Sequence, residues 1–278
     1  MSYYETLRSS TETNSQSDTT SVSVPAHDYT TELLTHLNQV LYQSLDHLQK
    51  QDKPDQMVET VNEWLLHLNQ PPIDSPLHRE LTTSTTHTLP TQYKNSLRAW
   101  ELIAPGQLEQ EQLLHHINQE LWTASAADWM VSFTRHSGIQ TLVPALKEAE
   151  SQNKPIRILT SFYMNITEAK AIRQLMEFSN IEVKIYEPIK KNHAFHPKAY
   201  LFSRPDQLDS AIVGSSNLSK SALTHGMEWN IRIPSTPVTT LVTQAKSLFE
   251  QLWNSDEATI CTEELLLQYE QYQQETPP

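Results

Sequence analysis

The stretch "AFHPKAYLF", residues 194–202, sets a histidine and a lysine two positions apart inside an apolar run. In an extended strand alternate residues share a face, so His196 and Lys198 point the same way. Further on, "GSSN" at 214–217 closes a second apolar run, and "GMEWN" at 226–230 adds Glu228. Imidazole is a competent nucleophile at neutral pH. Lysine and amide groups donate to phosphoryl oxygens, and a carboxylate can orient an imidazole through its second nitrogen. His196, Lys198, Asn217 and Glu228 are therefore the residue types that a metal-free phosphoryl-transfer site requires. The Ser215 and Ser216 hydroxyls, together with backbone N–H groups at the start of a short helix, are placed to bind the same phosphate. The pair H-x-K alone is weak in a chain with 12 histidines; the following Ser-Ser-Asn and Glu give it weight.

These residues need a sheet to hold them. "WMVSF" (129–133), "IRILTSF" (156–162) and "IEVKIY" (181–186) read as strands, separated by helical patterns over Ile139, Leu142, Val143 and Leu146 and over "TEAKAIRQLMEF" (167–178). Strands alternating with crossover helices predict parallel pairing. The segments at 194–202, 210–216 and 228–233 follow as strands with short connections, and 238–253 closes as a helix. The expected class is α/β, with a mixed, mostly parallel sheet flanked by helices and preceded by a small helical N-terminal module. Residues 1–28 are Ser/Thr-rich and too poor in apolar side chains to offset the entropy of ordering, so they are expected to be disordered. Periodic leucines predict a helical hairpin over 29–69, and the Pro- and Thr-rich 70–106 reads as a linker or extended cover. The catalytic domain is expected at 107–255 and an acidic helix or tail at 256–278.

The run "HPKAYLF…VGSSNLSKSAL…GMEWN" resembles the phospholipase D-like phosphodiesterases, whose hallmark is H-x-K followed by G-S-x-N. More narrowly, residues of about 115–235 look like the nuclease domain at the N-terminus of bacterial superfamily 2 helicases and defence-associated proteins. They are also similar to metal-independent restriction endonucleases, in which a glutamate after the asparagine completes the site. The resemblance implies a DNA nuclease in which His196, Lys198, Asn217 and Glu228 form the active-site quartet, acting through a phosphohistidine. It also implies a helicase domain or subunit as partner. Two departures stand out. The wider family has an Asp five residues after the lysine, where this chain has Ser203, with Asp206 and Asp209 in the loop beyond; the restriction-enzyme branch lacks that Asp as well. The long phospholipases carry two H-x-K copies, whereas none of the other 11 histidines here precedes a lysine by two. One histidine attacks phosphorus and a second protonates the leaving oxygen, so a single copy predicts a homodimer sharing one site, with one imidazole neutral and its mate cationic.

Composition sets further bounds. The formal charge of −13 opposes nucleic-acid binding, but residues 119–234 hold 13 Lys/Arg against 11 Asp/Glu, a local balance of +2. Beside the motif, Lys190, Lys191, His193, Arg204 and Lys220 could steer a phosphate backbone. Arg135, at the end of the first strand, and Tyr163 and Asn165, in "SFYMNIT", are candidate substrate contacts. Trp129 and Trp229 each begin an apolar strand and read as core aromatics. His115 and His116 lack a third ligand at metal spacing, so no metal and no cofactor are expected. Cys261 is the one cysteine, which excludes an internal disulfide. With no long apolar run and no secretory signal, a cytoplasmic protein with no membrane partner is expected. A lipid phosphodiesterase and a non-catalytic nucleic-acid-binding module on the same fold are the alternatives.

Overall fold

The computed structural model describes residues 37, 40–41, 44–68, 70, 72, 100–104, 112–187, 194–205, 208–235 and 240–275. The chain divides into two compact units, Met1–Thr86 and His87–Pro278. In the first, residues 44–50 are helical, and after a turn containing Asp52 in the left-handed region the helix α1 (Pro54–His67) begins on its proline. Pro at N1 forfeits no hydrogen bond, because that N–H has no helical partner. The expected disordered segment 1–28 lies outside the described residues.

The second unit is an eight-stranded sheet between helices. Its strands are β1 (Glu101–Ile103), β2 (Ala126–Val131), β3 (Ile156–Thr160), β4 (Ile181–Tyr186), β5 (Lys198–Ser203), β6 (Ser210–Gly214), β7 (Asn230–Pro234) and β8 (Ala258–Ile260). They lie in the order β1-β7-β6-β5-β2-β3-β4-β8. Only β2–β3 and β3–β4 pair in parallel; the other five pairs are antiparallel. The α/β class and the mixed sheet hold, but the expected parallel majority is corrected. The βαβ units stop after β4; β6 and β7 then return antiparallel over short connections, while β5 runs antiparallel beside β2 and the short strands β1 and β8 pair antiparallel at the two edges. β1 falls within the stretch expected to be a linker, and β8 within the acidic tail.

Each face of the sheet has its own core. On one, Trp129, Val131, Ile156, Ile158, Tyr200, Phe202 and Ile212 pack against α2 (Leu113–Thr123), α3 (His136–Ser151), α4 (Ala169–Met176), α5 (Lys220–Leu223) and α7 (Glu263–Glu275). Buried Ile139, Leu142 and Leu146 recur at helical spacing along α3, which is why that helix lies flat on the strands. On the other face Met130, Leu159, Ala199, Leu201 and Ala211 meet Val242, Phe249 and Trp253 of α6 (Leu241–Trp253). β2 and β5 are covered on both sides, hence their nearly unbroken burial. Trp129 is fully buried, edge-on to Tyr200, as expected of a core aromatic.

Candidate active site

β5 begins only at Lys198, so His196 and Pro197 lie in the extended approach to the strand rather than within it. Proline cannot donate to a ladder, but the Pro197 carbonyl accepts from the Ser132 N–H (3.0 Å) and the Ser132 hydroxyl (3.1 Å), fixing the approach to the end of β2. The Lys198 ammonium lies 3.0 Å from Nδ1 and 3.4 Å from Nε2 of His196, and 3.3 Å from Ser132 Oγ. Burial pushes the Lys198 ammonium below the ordinary lysine value, and the Glu228 carboxylate partly offsets this. His196 itself is exposed.

Asn217 is held from the opposite side. Its Oδ1 accepts from the Phe133 backbone N–H (3.1 Å), which turns the amide NH2 outward, and the Leu218 N–H returns to the Phe133 carbonyl (3.2 Å). Phe133 also sets its ring edge-on to His196 (centroids 5.6 Å apart) and beneath the Lys198 ammonium (5.8 Å). It therefore touches three of the four predicted residues. Sequence reasoning missed it, because a phenylalanine closing "WMVSF" is indistinguishable from core. Two glycines permit this closeness. A Cβ on Gly214 would run into the Trp229 carbonyl and the Asn230 side chain, and one on Gly138 would lie 2.5 Å from the Leu218 carbonyl. Larger residues would push β6 off β7 and α3 off the segment after Asn217.

Glu228 accepts a hydrogen bond from the Ser215 hydroxyl, and Ser215 Oγ in turn accepts from the Trp229 N–H (3.0 Å). Ser215 thus positions Glu228, whose charge reaches Lys198 and Tyr200; no hydrogen bond joins Glu228 to His196 among the described residues. Ser216 is buried: its Oγ accepts from the Asn230 amide (2.9 Å), and its carbonyl accepts from the Tyr200 hydroxyl (3.0 Å). It braces the turn and offers no open face to a phosphate, contrary to the expected phosphate-binding role.

The outlying candidates separate. Tyr163 is 41% exposed and stacks on Phe133, bringing it to the edge of the site. Arg135 is exposed before α3 and forms a loose 3.9 Å pair with Glu168. Lys220 is exposed at the start of α5. Lys190, Lys191 and His193 lie outside the described residues. Arg204 does not steer substrate. It is buried, 2.5 Å from Glu120, which also binds Arg232. Burial alone would push the Glu120 carboxyl up, but the two arginines and the Ser210 hydroxyl hold it below the usual carboxylate range. Trp229 is also corrected: it is 63% exposed, because strand β7 starts one residue later, at an uncovered end of the sheet. Among the described residues no group of three His, Cys, Asp or Glu could hold a metal ion, and no helix is long and apolar enough to cross a membrane.

The family model described as "Cardiolipin synthase, PLD-like domain" matches residues 117–253, which include all four quartet residues. No curated protein sequence matches the chain. Among solved structures it is similar to NucT from Helicobacter pylori, at 18% identity over 59% of this chain and 99% of that one (TM-score 0.47). It is likewise similar to Nuc from Salmonella typhimurium, a phospholipase D family member, at 18% identity over 59% and 100% (TM-score 0.45). Phosphatidylserine synthase from Haemophilus influenzae aligns at 11% identity over 64% and 45% (TM-score 0.43).

Proposed function

From the match of residues 117–253 to the model of a phospholipase D-like domain, we propose that the chain is a metal-independent phosphodiesterase that cuts DNA in a site shared by two copies. The observation that carries this reading is the Lys198 ammonium 3.0 Å from the His196 imidazole, with the Asn217 amide fixed beside them by Phe133. A phosphate seated there would receive donors from Lys198 and Asn217 while facing an exposed imidazole. A ring nitrogen of His196 attacks phosphorus as the bond to the leaving oxygen breaks, and His196 of a second copy gives that oxygen its proton. Water, deprotonated by the second imidazole, then displaces His196 from the phosphohistidine and restores both rings. Lys198 balances charge on the phosphoryl oxygens throughout. Glu228, held by Ser215, tunes Lys198 and, in a dimer, is available to the imidazole across the axis.

The local balance of +2 over residues 119–234, against −13 for the whole chain, favours DNA as substrate, and a helicase or antiphage defence system is the proposed setting. The description of the matching family model gives the lipid reading its support, so the test has two arms. Plasmid DNA and phosphatidylcholine vesicles are each incubated with the protein in excess EDTA. Cleavage of DNA alone, abolished by His196→Ala, is the expected result. Loss of DNA cleavage on chelation with recovery on added magnesium overturns the metal-free chemistry, and release of headgroup without DNA cutting moves the substrate to lipid.

A further inference from the structure

Tyr163 stands outside the quartet and has no role in the chemistry above. Its ring lies parallel to that of Phe133, centroids 6.4 Å apart and 8° between planes, an offset stack within the usual range for aromatic pairs. Phe133 covers part of the tyrosine, and 41% of the residue remains open to solvent. Exposed aromatic side chains are ordinarily mobile, but this one is pinned from both sides. Met164 and Asn165 follow it with φ of 58° and 55°, two consecutive left-handed residues that force a tight turn. The Asn165 N–H donates to the Phe162 carbonyl (3.0 Å), and the Tyr163 N–H donates to Ser161 Oγ (3.4 Å). Gln273 of α7 donates to the Asn165 carbonyl (3.2 Å), and the Phe162 ring is stacked on Tyr269, centroids 3.8 Å apart. Two helical turns of α7 thus anchor the turn that presents Tyr163.

The geometry points to Tyr163, backed by Phe133, as a stacking subsite for an unpaired nucleobase within a few nucleotides of the scissile phosphate of single-stranded DNA. This inference rests on the DNA-cutting reading above. Stacking needs a bare π-face on the ligand. In a duplex both faces of a base are covered by its neighbours, so a single strand or a frayed end is what fits. Following the ring contacts from Tyr163 through Phe133 to His196, the platform lies at most about 12 Å from the imidazole, which a strand spans in a few nucleotides at the duplex spacing of about 3.4 Å per nucleotide and in fewer when it is extended. A phospholipid headgroup offers no such planar face. The left-handed pair that orders the turn is fixed before substrate arrives, so the ring is ordered at no further cost on binding.

The test uses single-stranded oligonucleotides in which each of the three nucleotides on either side of the cut is replaced in turn by an abasic residue. Wild-type protein is expected to cut the intact strand about 10-fold better than the strand abasic at one position, within the range for one base–aromatic stack. Tyr163→Ala brings that ratio to about one, and Tyr163→Phe, which keeps the π-face, preserves it. Equal cutting of intact and all abasic strands by the wild type, or a ratio that Tyr163→Ala leaves unchanged, overturns the subsite. If no strand is cut at all, the DNA-cutting reading fails on its own account, and binding decides the subsite. A 2-aminopurine oligonucleotide quenched by His196→Ala protein but not by the His196→Ala, Tyr163→Ala pair supports it; the same fluorescence with both overturns it.

Discussion

The proposed chemistry asks Lys198 to stay cationic beside a phosphate, yet the side chain is held in a half-buried position that works against its charge. Burial lowers the Lys198 value and the Glu228 carboxylate raises it again. Loss of the Lys198 proton should therefore set an alkaline limb on activity below pH 10.5, the ordinary value for that side chain. The sign for a Glu228 variant follows: Glu228→Gln removes the group that raises the lysine and should move the limb to lower pH, as well as slowing the reaction. A pH profile of single-turnover cleavage for wild type and variant checks it, and a limb at the same pH in both would disconnect the two residues. Lys198→Ala should cost about 10²–10³ in rate, as for loss of one donor to developing charge. At this scale residue type and order were enough to nominate the proposed quartet. His196, Lys198, Asn217 and Glu228 announce themselves by type and order, whereas Phe133 works through a ring edge and a backbone N–H that leave no mark in the alphabet. Trp229 was misjudged because an aromatic at a strand start looks the same whether or not anything covers it.

Between elements, a buried ion cluster outside the quartet ties the fold together. Glu120 of α2 binds Arg204 after β5 and Arg232 of β7, with Ser210 of β6 donating at 2.5 Å, so one buried carboxylate ties a helix to three strands. Breaking such a cluster from one side leaves charge buried without a partner. Glu120→Ala should destabilise the domain by about 3–5 kcal/mol, measured by urea unfolding. Because the Glu120 carboxyl is held below its unfolded value of about 4.5, its contribution is fully present above that value and is lost as pH falls through the folded one. Wild type should therefore lose stability below about pH 4.5 more steeply than Glu120→Ala, and parallel acid titrations would remove the cluster from the account. None of this was legible beforehand. Arg204 sits among basic residues near the motif and reads as a surface charge, since the residue that neutralises it is 84 positions away. The sheet was misread for a related reason. Local periodicity marks strands well, as with Ile181–Tyr186, but pairing direction depends on connections: β5 inserts antiparallel between β2 and β6, which no window of sequence displays.

For the whole molecule, a single H-x-K leaves each copy with half of the proposed chemistry, and one end of the sheet offers a place for the other half. Leu102, Ile231 and Val213 are cross-strand neighbours on β1, β7 and β6, all exposed, with Trp229 two residues before Ile231 and Met227 85% exposed next to Glu228. These exposed apolar side chains near Ser215 and Glu228 suit a second copy better than a phosphate backbone. Trp229→Glu with Ile231→Glu should give a monomer by sedimentation and abolish turnover. A double variant that remains dimeric would relocate the interface. The strand order of the sheet also bears on how the chain is made. The half-site of each copy draws on residue 133, then 196–198, then 217–228, and β5 reaches its final place only between β2 and β6. At a synthesis rate of about 5–20 residues per second, roughly 100 residues separate the first contributor from the last, so several seconds pass on the ribosome with the pieces apart. On the proposed reading, a chain stalled before residue 228 lacks part of its half-site, so the cell would meet DNA cutting only after the last of these strands has been released.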